Sequence, residues 1–401
     1  MSSDPTPGVP TTGNDPRSRI TESDEPAGKT WFRTLDEGVI EADRCIQCGS
    51  CMAACPSDSI GIEPETGRPT LVRMCTGCSR CWDFCPRSGL RYERLNELEG
   101  NEPTAAYSAA AAGDHAGQDG GAVTALLAGL LDAGEIDGAV VVGDASEPLR
   151  GRATLATDRE ELLESAGSSF NQTMQLGQVD ELVAESDLVD PDIALVGTPC
   201  VIQGAAALDR LQYDDELEAV SLTVSLVCTR SFAYERLRKQ LLDAGVEPSE
   251  IDRVEVVGGA LTASDADGET LLTRNVETFD GAVLRGCDEC GDAVGEAADI
   301  TAGSIGSPDG RTTLLARTAA GEDAIDAAGG ELDLDALEGK RPLERFAEWN
   351  RRQAEATIPR ELDADAALTV TKDDHWETYT GTDRAPEPLN PARVHQYEEW
   401  C

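Results

Sequence analysis

Two cysteine runs constrain this chain more than anything else in it: CIQCGSCMAACP from Cys45 to Pro56, and CTGCSRCWDFCP from Cys75 to Pro86. Each reads C-x2-C-x2-C-x3-C-P. That spacing suits thiolate ligation of a [4Fe–4S] cubane. Three closely spaced cysteines wrap one cube, while the fourth lies too far along the chain and turns toward a neighbouring cube. The expected ligand sets are Cys45, Cys48, Cys51 and Cys85 for one cluster, and Cys75, Cys78, Cys81 and Cys55 for the other. Pro56 and Pro86 close the loops by fixing φ and removing a donor. One run alone could be a zinc knuckle or part of a disulfide framework. Two in tandem, each closed by proline, read as a domain that moves electrons.

Charge narrows where such a chain can work. There are 76 acidic residues against 33 basic ones, a formal net charge of -43 over 401 residues. Acidity of that size, spread through every segment, excludes nucleic acid and anionic membrane as partners. Periodic apolar segments exclude disorder for most of the chain. The expected setting is a high-salt cytosol, where screening weakens self-repulsion and the charge preserves solubility. Twelve of the thirteen cysteines occupy ligand-like positions, which fits a reducing compartment better than a disulfide scaffold. The start, MSSDPTPGVPTTGNDP, has no basic region and no apolar run, so no signal peptide is expected. No stretch approaches the ~20 apolar residues of a membrane span. A cytoplasmic location is expected, with peripheral docking on a membrane complex left open.

Composition divides the chain into five parts. Residues 1–30 form a polar tail expected to be disordered. Residues 31–98 carry a bacterial-type two-[4Fe–4S] ferredoxin domain, entered through a short helical pattern at Trp31–Arg44. Residues 99–115 read as a linker, 116–330 as an α/β domain, and 331–401 as a helical and polar extension. In the α/β domain, helices are expected at Ala122–Asp132, Thr157–Ala166, Val201–Leu211, Ala233–Ala244 and Gly321–Ala328. Strands are expected at Asp137–Gly143, Ile193–Gly197, Val220–Val227, Arg311–Thr318 and within ADITAGSIGS. Val254–Arg274 reads as a hairpin turning at Asp267–Gly268. Leu343–Ala356 is helix-prone. GQDGG, from Gly117 to Gly121, leads into the first helix. Glycine there lets a ligand approach backbone N–H groups, or simply opens the helix; without a preceding strand it is no dinucleotide fingerprint.

Four further cysteines fall in the α/β domain. Cys200 sits at a strand-to-helix turn after Ile193–Gly197, Cys228 ends Val220–Val227, and Cys287 and Cys290 form a C-x2-C pair. Strands delivering cysteines at their C-terminal ends match the ligand-bearing edge of an α/β sheet. Spacing alone leaves open a third [4Fe–4S] cluster, a structural zinc, or a redox-cycling pair. Cys401 has no partner in the sequence.

Four segments then carry a resemblance. GQDGGAVTALLAGLLDAGEIDGAVVVG, LVGTPCVIQGAAAL, LVCTRSFAYERL and CDECGDAVGEAADITAGSIGS follow one another between Gly117 and Thr318. Together they resemble the family of β subunits of coenzyme F420-reducing hydrogenase and F420H2 dehydrogenase, some members of which begin with a two-cluster ferredoxin. The resemblance implies an α/β (α+β) flavin domain with FAD and one [4Fe–4S] cluster, held here by Cys200, Cys228, Cys287 and Cys290. It implies hydride exchange with coenzyme F420. It also implies an FAD ring packed over Gly117, Gly120 and Gly121, with Thr124 and Thr198 as hydrogen-bond donors. Hydride carries two electrons and a cluster takes one, so FAD is the expected converter. The implied route runs from F420H2 through FAD and the Cys200 group to the two ferredoxin clusters. It ends on a ferredoxin-like, membrane or soluble redox partner. Hydride passing from ring to ring needs no general base, so no catalytic side chain is assigned.

Two other functions fit the same residues. One is a ferredoxin-driven FAD and iron–sulfur reductase of another substrate, similar to the chlorophyll-reductase relatives of the family. The other is an electron-transfer subunit without its own substrate. This sequence departs from the family pattern at Val201, where glutamine is usual and Gln203 follows, at Ala293 for an aromatic, and at Ser169 for a lysine. His115 is expected to be an exposed linker residue or a proton donor to flavin. Asp292 and Asp299 are expected to shape the turn after the C-x2-C pair. Arg150, Arg230, Arg274 and Arg285 could bind the acidic coenzyme or simply form surface ion pairs.

Overall fold

The computed structural model describes residues 32–77, 80–87, 102–113, 118–211 and 217–357. The expected disordered tail, the end of the C-terminal extension, and Cys78, His115, Gly117 and Cys401 lie outside the described residues.

The two cysteine runs fold alike because their sequences repeat. After α1 (Phe32–Leu35), which widens into a π turn over Asp36–Ile40, each run forms a loop and one helical turn. These turns are α2 (Ser50–Ala53) and α3 (Arg80–Asp83), placed at the same point of each run. The third position of each run is left-handed, Gln47 at φ 54° and Gly77 at φ 74°. Between the runs, β1 (Ile60–Ile62) and β2 (Pro69–Leu71) pair antiparallel, with Ile60 opposite Leu71. Phe32, Leu35, Val39 and Ile40 bury with Trp82 and several of the cysteines, so α1 covers the loops with apolar side chains. This is a ferredoxin-type module.

The larger part is a mixed eight-stranded sheet. Its first half contains β3 (Ala105–Ala111), α4 (Ala122–Ala133), β4 (Gly138–Asp144), β5 (Gly151–Ala156), α5 (Arg159–Glu164) and α6 (Val179–Glu185). Next come β6 (Ile193–Gly197), α7 (Pro199–Leu211), β7 (Val220–Leu226) and α8 (Tyr234–Asp243). A separate three-stranded meander follows: β8 (Arg253–Val257), β9 (Ala260–Ser264) and β10 (Thr270–Asn275). The chain then returns with β11 (Ile300–Gly303), β12 (Thr312–Ala316), α9 (Ala319–Ala327), β13 (Leu332–Ala336) and α10 (Arg341–Thr357). The large sheet has the order β13-β3-β12-β11-β7-β6-β4-β5. Its strands β11, β7, β6 and β4 are parallel, so their C-terminal ends share one edge. The other four strands pair antiparallel to their neighbours.

Both faces of the parallel strands are covered, which is why those strands read as unbroken apolar runs. In β6, Ala194 and Val196 join the core under α4 and α9, while Ile193 and Leu195 join the core under α7. That second core also contains Ile46, Cys48, Ala54 and Phe84, so the cysteine module packs on this face. Backbone bonds cross the junction: the amides of Met174 and Leu176 donate to the carbonyls of Gln47 and Cys48 at 3.1 and 3.4 Å. Glycine allows the close approach. A Cβ on Gly204 of α7 would collide with Ser50, and one on Gly177 with Met52. Among the described residues, no helix is long and apolar enough to cross a membrane.

The expected helices lie within about two residues of those observed, as do most of the strands. β1, β2, β5 and α6 correspond to no expected element, and three expectations differ. The stretch expected as a linker contains β3, which pairs with both β12 and β13. Its sequence, AAYSAAA, has little strand propensity; burial beneath α4, where small side chains fit, overrides that preference. The C-terminal extension likewise begins with a strand of the sheet, β13. The expected hairpin is a three-stranded meander, because Gly258 and Gly259, at φ 57° and 81°, form a second turn before Asp267–Gly268.

Candidate redox centre

Cys45, Cys51 and Cys85, three of the first set expected from the spacing, pack in the core under α1, and the fourth, Cys48, packs in the adjoining one. Desolvation, with the fields of neighbouring cysteines adding to it, pushes the Cys45 and Cys85 thiols up to about 12. Cys51 is raised well above the ordinary thiol value by desolvation and then by Cys45, Cys48, Cys85 and Cys55. Four thiolates gathered in a low dielectric need a cationic centre among them. Backbone donors already point at these sulfurs. The amides of Gln47, Gly77 and Arg87 donate to Cys45, Cys75 and Cys85, each at 3.4 Å. The first two follow from the left-handed third position of each run. Ser59 donates its amide to Cys55 at 3.3 Å, and Phe32 donates to Cys75 at 3.5 Å. Hydrogen bonds to the sulfurs are one of the levers that set a cluster's potential. Cys55, Cys75 and Cys81 gather in the same core; their fourth expected member, Cys78, lies outside the described residues. Thiolate donors in buried, backbone-donating loops suit iron–sulfur clusters.

Cys200, Cys228, Cys287 and Cys290 also come together, at the C-terminal edge of the parallel strands. Cys200 stands in the first turn of α7, just beyond β6, and Cys228 lies just beyond β7. The Cys228 amide donates to the Ala293 carbonyl at 2.9 Å, which ties the C-x2-C loop to that edge. Desolvation raises the Cys200 thiol, and the fields of Cys48, Cys290 and Cys228 raise it further. Cys228 is raised by desolvation and by Cys287 and Cys290; desolvation pushes Cys287 up to about 11. Cys200 thus interacts with its own group and with Cys48 of the neighbouring one. The two groups abut.

The glycine loop reaches the same edge by another route. Asp119, Gly120 and Gly121 are all left-handed, at φ 50°, 84° and 66°. Gly120 lies against the Gly310 carbonyl where a Cβ would collide, and the Thr312 hydroxyl donates to the Asp119 carbonyl at 2.7 Å. Thr124 follows in the first turn of α4. Thr198 sits over β6, its hydroxyl 3.2 Å from Cys200 Sγ, and accepts from Gln172 at 2.9 Å. The glycines and Thr124 are not in contact with Thr198. They flank one edge, from β12 to β6, across about three strand spacings or ~14 Å.

Asp292 is buried beside this group, and its role is visible. Its carboxylate accepts the amides of Val294, Gly295 and Glu296 and the side-chain amide of Gln203, at 2.7–3.2 Å. Gln203 is the residue left after Val201 takes the position where the family has glutamine. Asp299 accepts the Thr223 amide and hydroxyl and the Thr318 hydroxyl, linking β7 to α9. Asp292 shapes the turn, as expected, whereas Asp299 joins a strand to a helix. Asp292→Ala would strand several buried donors, and a destabilisation of at least ~3 kcal/mol is expected in urea unfolding at molar salt. Asp292→Asn, which keeps an acceptor, should cost less. Among the candidate arginines, Arg150 pairs with Glu147 and lies over the Tyr234 ring, and Arg230 pairs with Asp280. For those two the ion-pair alternative is the one observed.

Comparison with known proteins agrees with this layout. Residues 104–179 match the N-terminal model of the coenzyme F420 hydrogenase/dehydrogenase beta subunit, and 190–340 match the C-terminal one. Residues 38–90 match a 4Fe-4S dicluster domain. The chain belongs to the coenzyme F420 hydrogenase/dehydrogenase family of beta subunits. It is 27% identical over 322 residues to a subunit of the F420H2 dehydrogenase of Methanosarcina mazei, covering 76% of this chain and 87% of that one. It is 30% identical over 339 residues to the coenzyme F420-dependent sulfite reductase of Methanocaldococcus jannaschii, covering 79% of this chain but only 52% of that protein. A chain of the F420-reducing [NiFe] hydrogenase complex of Methanosarcina barkeri superposes with a TM-score of 0.57 at 26% identity. That match covers 64% of this chain and 90% of the other.

Several residues of this family member had no signal in the sequence. Gln172 donates to both Thr198 and Ser231, bridging the turns after β6 and β7. Arg44 pairs with Glu289 at 2.9 Å, and Arg87 donates to the Gly286 carbonyl at 2.6 Å. A residue next to each cysteine motif could have been suspected. Its partner, some 200 positions away, could not.

Proposed function

We propose that this chain exchanges hydride with coenzyme F420 and passes single electrons through FAD and three [4Fe–4S] clusters to a redox partner, in a high-salt cytosol. The observation that carries the proposal is continuity. Cys51 and Cys55 pack in one buried core, and Cys48 and Cys200 in the next. The third group lies on the sheet edge that the glycine loop also reaches. Bound there, FAD would supply the exchange between two-electron and one-electron chemistry. Gly120 and Gly121 hold the loop left-handed at that edge, with Gly120 against the Gly310 carbonyl, and the Thr198 hydroxyl is held in place by Gln172. The named relatives, a hydrogenase complex and a dehydrogenase, are both F420-linked. This supports the same substrate here and a redox partner protein.

The test is anaerobic mixing of reconstituted protein with F420H2 in molar salt. Bleaching of bound flavin with a rise of the oxidised deazaflavin band is the expected result. A second reading is favoured by the departures at Ser169, Val201 and Ala293. In it, reduced ferredoxin drives the flavin to reduce another substrate. Protein that holds FAD and about twelve irons, is inert to F420H2, and bleaches with reduced ferredoxin would establish that reading and end the first.

A further inference from the structure

A buried arginine stands at the junction between the Cys45 and Cys200 groups. Arg87 follows Cys85 and Pro86 directly and is only 4% exposed. Its amide donates to Cys85 Sγ at 3.4 Å, and its guanidinium donates to the Pro86 carbonyl at 3.0 Å and to the Gly286 carbonyl at 2.6 Å. Gly286 immediately precedes Cys287. Arg87 therefore joins the two groups, its amide on the last ligand of one and its guanidinium on the peptide before a ligand of the other. The surroundings fix this arrangement. A Cβ on Gly286 would collide with the Arg44 carbonyl and Ile46, and Arg44 forks onto Glu289 at 2.9–3.3 Å.

We infer that Arg87 is a positioning residue shared by two clusters: it holds them against each other and favours the reduced form of both. The inference rests on the proposed reading of the Cys200 group as a [4Fe–4S] site. Reducing a cubane adds one electron and one negative charge. A fixed cation at the sulfurs offsets that charge, more strongly where water is excluded. One arginine facing both groups raises both potentials together, so neither becomes a trap for the electron moving between them. The role is assigned to these two groups and not to the one expected at Cys55, Cys75 and Cys81.

The experiment is a redox titration of the full reconstituted chain, followed by electron paramagnetic resonance, for wild type, Arg87→Gln and Arg87→Lys. Arg87→Gln is expected to lower the reduction equilibrium of two of the three clusters about tenfold, equivalent to about 59 mV for a one-electron couple. The third should not move. Arg87→Lys, which keeps the charge, should stay near wild type. Loss of clusters in the glutamine variant alone, with retention in the lysine variant, would also support the charge. Unmoved potentials, a shift of one cluster only, or equal loss in both variants would overturn the inference. Wild-type iron near eight instead of about twelve would instead overturn the three-cluster reading beneath it.

Discussion

Cys200→Ser is expected to lower iron from about twelve to about eight atoms per chain and to stop F420H2-driven reduction of a one-electron acceptor such as a viologen. Cys200 is buried at the meeting point of two thiol groups, with Thr198 at its sulfur and Cys48 facing it across the junction. A serine hydroxyl in its place is a poor ligand for soft iron and fits a tetrathiolate site badly. The eight ligands expected for the other two clusters are untouched, so dithionite should still develop their signals in full. If the Cys200 group bound zinc instead, the wild type would carry one zinc and about eight irons, and the variant would lose only the zinc. Twelve irons retained in the variant would end the assignment of Cys200 as a ligand.

Parts of this centre were legible in the sequence for a covalent reason. A cubane dictates how far apart three consecutive ligands can be and forces the fourth onto a neighbour. The grouping of Cys85 with Cys45, Cys48 and Cys51 could therefore be written down from spacing alone. The strand that delivers Cys200, IALVG, was legible because a strand buried on both faces is apolar throughout, and the one that delivers Cys228, VSLTVSL, because its apolar residues alternate. The alanine strand β3 was not, since nothing in AAYSAAA separates a buried strand from a linker until α4, β12 and β13 enclose it. The junction was also hidden. Gly204, Gly177 and Gly286 look like ordinary glycines until Ser50, Met52 and Arg44 arrive against them. Arg87 looks like one of many surface arginines until Gly286 presents its carbonyl. Contacts between modules are set by tertiary packing, and no local period records them.

The same chain should be markedly less durable in dilute buffer than in molar salt. With a formal net charge of -43, tens of carboxylates have no basic residue to pair with even if every lysine and arginine is used. Ion pairs such as Arg159–Asp132 and Arg150–Glu147 are partly or largely exposed, and pairs of that kind are worth about 0–1 kcal/mol each. Screening them away loses little. Screening the surplus carboxylates gains more, because repulsion sums over many pairs and the Debye length falls from about 10 Å at 0.1 M to about 3 Å at 1 M. The half-buried Arg44–Glu289 pair is shielded from salt and should hold the junction at either extreme. Raising KCl from 0.1 to 2 M is expected to raise the apparent melting midpoint on the order of 10 °C, as several kcal/mol would do in a chain of this size. Circular dichroism, together with the half-life of the cluster absorbance, would read it. NaCl at matched ionic strength should give the same curve, flattening above ~1 M, because screening depends on ionic strength and not on the ion. A midpoint that falls with salt would mean that the ion pairs outweigh the repulsion, and the high-salt assignment would fall with it.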